Sequence, residues 1–352
     1  MNMSAVATAL GVPTPRPRPS HLHSVTSAAV PARRDSDRPK DLSAFIGQET
    51  LRLQLGVLVT SARNRGVPPD HCLLSGPPGL GKTSLAQIIA AEMGSTLHET
   101  TATAVKKVAA MGKALAKLAA NDVLFIDECH RLSGEAEELL GLAMEDRRFV
   151  LPASGRSKSE QSEVELPPFT VVGATTRAGS MTGPLRDRFG WVGELTFYSV
   201  EELAAIVLAA SPRMSLTVEP SAAERLAELS RGTPRISLKW LRRVRDYVET
   251  IGAEVVTVEV VGGAMELAEV DTRGLTPLDV RVLEAVCVEF VGGPIGLAPL
   301  AAYTGEDTAT ITEVVEPFLV RSGLIRRGPR GRIATRLAYD HLGLSVPALL
   351  GW

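Results

Sequence analysis

Short apolar runs separated by amphipathic stretches recur between residues 38 and 198, and their spacing predicts alternating strands and helices. Residues 71–75, 123–126, 169–174 and 194–197 read as strands, because each is a brief apolar block without a helical period. Between the first two the period changes. In 84–93 the apolar positions Leu85, Ile88, Ile89 and Met93 fall on one face of a helix. Continuous rather than alternating apolar strands, interleaved with helices, imply a parallel sheet covered on both faces. The polar stretch 154–165, which carries Gly155, interrupts the rhythm and reads as a hairpin excursion.

Beyond residue 198 short capped helices replace strands. Ser199-x-x-Glu202 and Ser221-x-x-Glu224 are capping boxes, and Thr233-Pro234 joins an N-cap to a proline at the first helical position. These signals predict a small helical unit over 199–272. A third unit, 273–343, begins at another cap, Thr276-Pro277, with a helix to about residue 290 and a break at Gly292-Gly293-Pro294. Helices at 297–303 and 308–320 follow, then strands at 324–327 and 332–335 joined by Gly328-Pro329-Arg330-Gly331. Three helices and a terminal hairpin spell a winged helix. Residues 1–37, rich in Pro, Ser, Ala and Arg, read as a disordered tail, and 344–352 as a short C-terminal tail.

A length of 352 residues suits about two or three domains. The formal net charge of −2 gives no chain-wide attraction to nucleic acid, so any such surface must be a local patch. Cys72, Cys129 and Cys287 are widely separated and odd in number, which points away from disulfide or metal roles and toward a reducing compartment. No apolar run approaches the roughly 18 residues of a membrane span, and no basic-then-apolar leader opens the chain. The sequence therefore predicts a cytoplasmic protein with no membrane partner.

Candidate chemistry sharpens this outline. Gly76-Pro77-Pro78-Gly79-Leu80-Gly81-Lys82-Thr83 satisfies the P-loop pattern between a strand and a helix. Glycines such as Gly79 and Gly81 let backbone N–H groups turn toward phosphate oxygens, Lys82 neutralises phosphate, and Thr83 can ligate Mg²⁺. Downstream, the strand at 123–126 ends in Asp127-Glu128-Cys129-His130. There Asp127 would hold Mg²⁺ through its water shell and Glu128 would activate the attacking water. Asp-Glu-Cys-His also looks like the D-E-x-H box of superfamily 2 helicases, but that reading needs further motifs that are not found.

Thr175, Thr176 and Arg177, at the end of another strand, can bring a hydroxyl or an arginine to the γ-phosphate, or simply form a turn. Arg186 and Arg188 flank Asp187 in a stretch that is either an ion-paired helix end or an arginine finger. Arg235 lies in the first turn of a helix, where a cation is unfavourable unless an anion compensates it. Arg326, Arg327, Arg330, Arg332 and Arg336 crowd the predicted wing with no acid among them, which suits phosphate contacts on duplex DNA or, alternatively, a solvated basic hairpin.

Taken in order with Arg38, Phe45-Ile46-Gly47-Gln48, Met144-Glu145-Asp146 and 231–235, these segments closely resemble the RuvB family over about 38–343. Its members are bacterial Holliday-junction branch-migration motors of the AAA+ class. The resemblance implies an α/β AAA+ P-loop NTPase with a parallel sheet over 38–198, a small helical lid and a C-terminal winged helix. It further implies a homo-hexamer that couples hydrolysis of ATP with Mg²⁺ to movement of duplex DNA, a RuvA-like protein holding the junction, and a RuvC-like resolvase acting indirectly.

By the same resemblance Arg38, Phe45 and Ile46 would lie on the adenine side, Gly79, Lys82, Thr83 and Ser84 at the phosphates and Mg²⁺, and Tyr198 at the lid edge. Glu145 and Asp146 join the nucleotide set. Arg188 would be a finger reaching a neighbouring subunit, Arg235 the lid's phosphate sensor, and Arg327, Arg330 and Arg332 the DNA contacts. Two other readings stand beside it: a diverged paralogue with another partner or DNA substrate, and a nucleotide-switched DNA-binding protein without processive movement. The chain departs from the family pattern at 100–118, in the polar hairpin 153–161, at Thr308 where an arginine is usual, and at Arg147 in place of an aromatic residue.

Overall fold

The computed structural model describes residues 38–151 and 162–347; the tail read over 1–37, the hairpin tip at 153–161 and the end of the C-terminal tail lie outside them. Side-chain alternation along the strands builds the first layers. In β1 (Cys72–Ser75), Cys72 and Leu74 pack toward Leu55, Ile88 and Ile89, while Leu73 packs toward Met111, Leu139 and Leu140. After β2 (Leu97–Thr101), β3 (Val123–Asp127) divides the same way: Val123 and Phe125 on the first side, Leu124 and Ile126 on the second. With β4 (Thr170–Thr175) and β5 (Trp191–Glu194), these strands form one parallel sheet in the order β2-β3-β4-β1-β5. Helices Glu49–Arg65 and Lys82–Met93 cover one face, and Val108–Leu115 and Gly134–Asp146 the other, so both faces are dry.

Two sequence expectations are corrected at the sheet edges. The last strand begins at Trp191 rather than 194, pairing Cys72 with Trp191 and Ser75 with Glu194. Its apolar signal is weak because it is an edge strand containing Gly193, over which the Trp191 ring folds so closely that a Cβ there would lie 2.5 Å from Cη2. The opposite edge strand, β2, has half-exposed and polar positions that gave no apolar block to read. Its final residues and the helix Val108–Leu115 occupy most of the departing 100–118 segment, anchored by buried Met111 and Leu115.

The polar excursion is a hairpin at its base, where Arg148–Leu151 pairs antiparallel with Ser162–Glu165. Helices Val200–Ala210, Pro220–Glu228, Pro234–Ile251 and Val258–Leu267 follow. Ser199 and Glu202 form their capping box, but Ser221 does not: Glu219 is the N-cap, because Pro220 takes the first helical position. In the C-terminal unit Thr276 and Asp279 close a capping box over Pro277–Glu284. Leu297–Thr304 and a helical stretch at 308–321 complete three helices, and Ile325–Gly328 pairs with Gly331–Ala334 as the wing. A further helix, Arg336–Leu342, was not anticipated; it seals the unit with buried Ala338 and Tyr339. Among the described residues no helix is long and apolar enough to cross a membrane.

Candidate functional site

The parallel sheet gathers the predicted chemistry at the C-terminal edge of its strands. Gly76 and Gly79 follow β1 with φ of 134° and 82°. Both are needed for close approach: a Cβ on Gly76 would lie 2.4 Å from the Leu195 carbonyl oxygen, and one on Gly79 would lie 2.9 Å from Arg235 Cβ. Lys82 opens its helix only 8% exposed, and its Nζ donates to the carbonyls of Gly76 at 2.8 Å and Pro77 at 2.9 Å. Burial pushes its pKa below the usual lysine value, while Asp127 and Glu128 pull it back up.

Thr83 and Ser84 sit half-buried in the same first turn, whose free N–H groups face the loop. The buried Phe45 ring lies against Gly81, beside half-buried Ile46, with Arg38 at the start of the described chain. Tyr198 donates its hydroxyl to the Leu80 carbonyl at 3.1 Å, and burial raises its pKa. Its N–H donates to Gly232 O at 3.0 Å, and the Arg235 N–H donates to Gly79 O at 3.3 Å, so the lid folds directly onto the P-loop.

Asp127 ends β3 and Thr175 ends β4 on this same edge. The Thr83 hydroxyl and Asp127 carboxylate are hard oxygen donors beside an ammonium; a pair of such ligands, with the remaining positions left for phosphate and water, suits Mg²⁺. Glu128 follows with φ 55°, a sparsely populated backbone for a non-glycine residue. His130, dismissed with the helicase-like box, orients the group: its Nε2 lies 3.3 Å from Glu128 Oε2 and its Nδ1 3.0 Å from Thr175 Oγ1.

Burial drives the His130 ring toward its neutral form, and a neutral ring protonated at Nε2 satisfies both contacts. The buried Thr175 hydroxyl also accepts from the Arg177 N–H at 3.0 Å. Thr176 beside it is half-buried and lies 3.5 Å from Glu128 Oε2.

Arg188, Glu145 and Asp146 lie elsewhere. Arg188 precedes β5, whose first residue pairs with the first residue of β1, and the adjoining Gly190 abuts Asp70. Four residues of strand, roughly 10 Å or more, separate that edge from the P-loop. There Arg188 Nε donates to Glu145 Oε2 at 3.0 Å, and Asp146 lies 3.8 Å from Arg148. None of the three is brought to its own chain's P-loop.

In the wing, two of the three arginines read as DNA contacts meet a buried acid. Glu316, outside the arginine-rich window and 1% exposed, accepts from Arg327 Nε at 2.7 Å and from Arg332 Nε and Nη2 at 3.0 and 2.9 Å. Arg332, 16% exposed, thereby ties the hairpin to the helix through two of its nitrogens, whereas Arg327, 57% exposed, gives the carboxylate only one. Arg330 stands exposed at the turn. Burial opposes the Glu316 charge, yet the two arginines hold its carboxyl below the ordinary range.

Arg332→Ala is therefore expected to destabilise the fold by about 3 kcal/mol near neutral pH, since it strips the fork from a buried carboxylate. Because a depressed carboxyl pKa stabilises only above its unfolded value, the deficit should shrink as pH falls through the lowered Glu316 pKa. Denaturant unfolding at both pH values measures this. Arg330→Ala should leave stability unchanged and lower the salt slope of duplex binding by about one.

The chain is similar to known proteins along this whole span. The family described as "Holliday junction DNA helicase RuvB P-loop domain" matches residues 37–195, the RuvB AAA lid domain 198–271, and the RuvB C-terminal winged helix domain 272–343. A Mycobacterium avium protein named "Holliday junction branch migration complex subunit RuvB" is 48% identical over 327 residues, 92% of this chain and 93% of its own. Its namesake in Nocardia farcinica is 49% identical over 310 residues, covering 88% and 87%. The solved Thermotoga maritima RuvB Holliday junction branch migration motor superposes with a TM-score of 0.80 at 43% identity, over 88% of this chain and 99% of that one.

Proposed function

Because the chain belongs to the RuvB family, we propose that it is an ATP-hydrolysing motor that drives branch migration of Holliday junctions. The observation that carries this reading is the unbroken order of the matching P-loop, lid and winged-helix domains over residues 37–343. Phe45, Ile46 and Tyr198 enclose the adenine side, with Arg38 reaching it. Backbone N–H groups from Gly79 to Ser84, with Lys82, bind the phosphates, and Arg235 adds a cation from the lid. Thr83 and Asp127 hold Mg²⁺, which offsets phosphate charge when bound.

Glu128 accepts the proton of the attacking water, with Thr176 beside it. Arg188, bonded to Glu145, completes a neighbouring subunit's site within a ring of six, with Asp146 next to that acid in the chain. Arg330 meets DNA phosphate, and the hairpin beyond Leu151 meets a RuvA-like protein, with a RuvC-like resolvase following. A synthetic four-way junction, incubated with ATP and Mg²⁺ with and without a RuvA-type protein from the same source, tests the reading. Separation into duplex arms is expected, and Glu128→Gln should abolish it. Normal hydrolysis with no strand movement in either mixture would overturn the motor in favour of a nucleotide-switched DNA-binding protein.

A further inference from the structure

A carboxylate of the winged-helix unit reaches the residues that flank the hydrolytic groups. Glu313, on the exposed side of the 308–321 helix, accepts from Arg177 Nη2 at 2.9 Å and lies 3.6 Å from Arg131 Nη2. Both arginines flank the chemistry: Arg177 follows Thr176, and Arg131 also places its Nε 3.9 Å from Glu128 Oε2. Arg131 is thus shared between two carboxylates, one in each domain. Its guanidinium, with three nitrogens fixed in a plane, can turn wholly onto Glu128 if the other acceptor is removed. Arg177, next to Thr176 in the chain, loses the same acceptor.

We propose that Glu313 is a positioning residue for ATP hydrolysis, a counter-ion supplied by the winged-helix unit that keeps Arg131, which already borders Glu128, and Arg177 from closing wholly onto the Glu128 oxygens that must accept the water's proton. The proposal rests on the reading of Glu128 as the base. Without Glu313 an ion pair closes over Glu128 and occupies those oxygens, while the P-loop, which binds the nucleotide, is untouched. The effect therefore falls on turnover and not on nucleotide binding.

Steady-state ATPase of the full chain tests this. Glu313→Gln is expected to lower kcat about tenfold with KM for ATP unchanged. Adding Arg131→Gln and Arg177→Gln to that variant should restore kcat to the level of the doubly substituted chain carrying Glu313, because no arginine then remains to be held. Two results overturn the proposal: an unaltered kcat in Glu313→Gln, or a loss that persists when both arginines are gone, which marks a merely structural contact. Glu128→Gln is assayed in parallel. If it hydrolyses ATP like the unmodified chain, the assignment of the base has failed, a result separate from any behaviour of Glu313.

Discussion

Replacing Lys82 with alanine is expected to abolish detectable ATP hydrolysis and to weaken nucleotide binding by roughly a hundredfold, the equivalent of one strong charge-assisted contact. The ammonium is already directed into the loop: it is 8% exposed and bonded to the carbonyls of Gly76 and Pro77, whose place phosphate oxygens would take. Burial works against that charge, and Asp127 and Glu128 offset it in part in the free protein. A bound polyphosphate supplies far more negative charge, so nucleotide and ammonium stabilise each other. Alanine leaves clustered phosphate charge facing backbone dipoles alone. Titration with a fluorescent nucleotide measures the change, and an unchanged affinity would show that Lys82 does not contact phosphate.

The second large effect concerns two chains at once. Arg188→Ala should reduce turnover by about a thousandfold or more, the usual yield of an arginine finger. Glu128→Gln should be comparably inactive by loss of the base. Mixed together, the two inactive preparations should recover measurable ATPase, since some interfaces pair an intact Glu128 with an intact Arg188 from the neighbour. The geometry motivates this test, because Arg188 lies on the sheet edge opposite its own P-loop, held by Glu145 at 3.0 Å. Mass-resolved mixed assemblies that remain inactive would assign Arg188 a structural role.

Most of the nucleotide edge was legible because its signals are local. A glycine-rich turn between an apolar strand and a helix, or an acid pair ending a strand, fits within a dozen residues. What the sequence hid depends on partners far along the chain. The tie of Arg332 to Glu316 was hidden because the acid stands sixteen residues away, outside the acid-free window of the cluster. Glu313 lies 136 residues from Arg177, and no pattern joins them. His130 stands in plain view in Asp-Glu-Cys-His, but its contact with Thr175 exists only because β3 and β4 are neighbours. The strand at Trp191–Glu194 was displaced for a different reason, since an edge strand with glycine in it carries too little apolar signal to mark its start.

The position of Arg188 also sets an arithmetic for the assembly. When each site borrows its finger from the next chain, active sites are counted by interfaces and not by chains. A closed ring then has as many sites as subunits, whereas an open row of the same chains has one fewer, and a lone chain has none. Activity per chain should accordingly climb with concentration and level off at ring closure, so that dilution alone silences the protein without unfolding it.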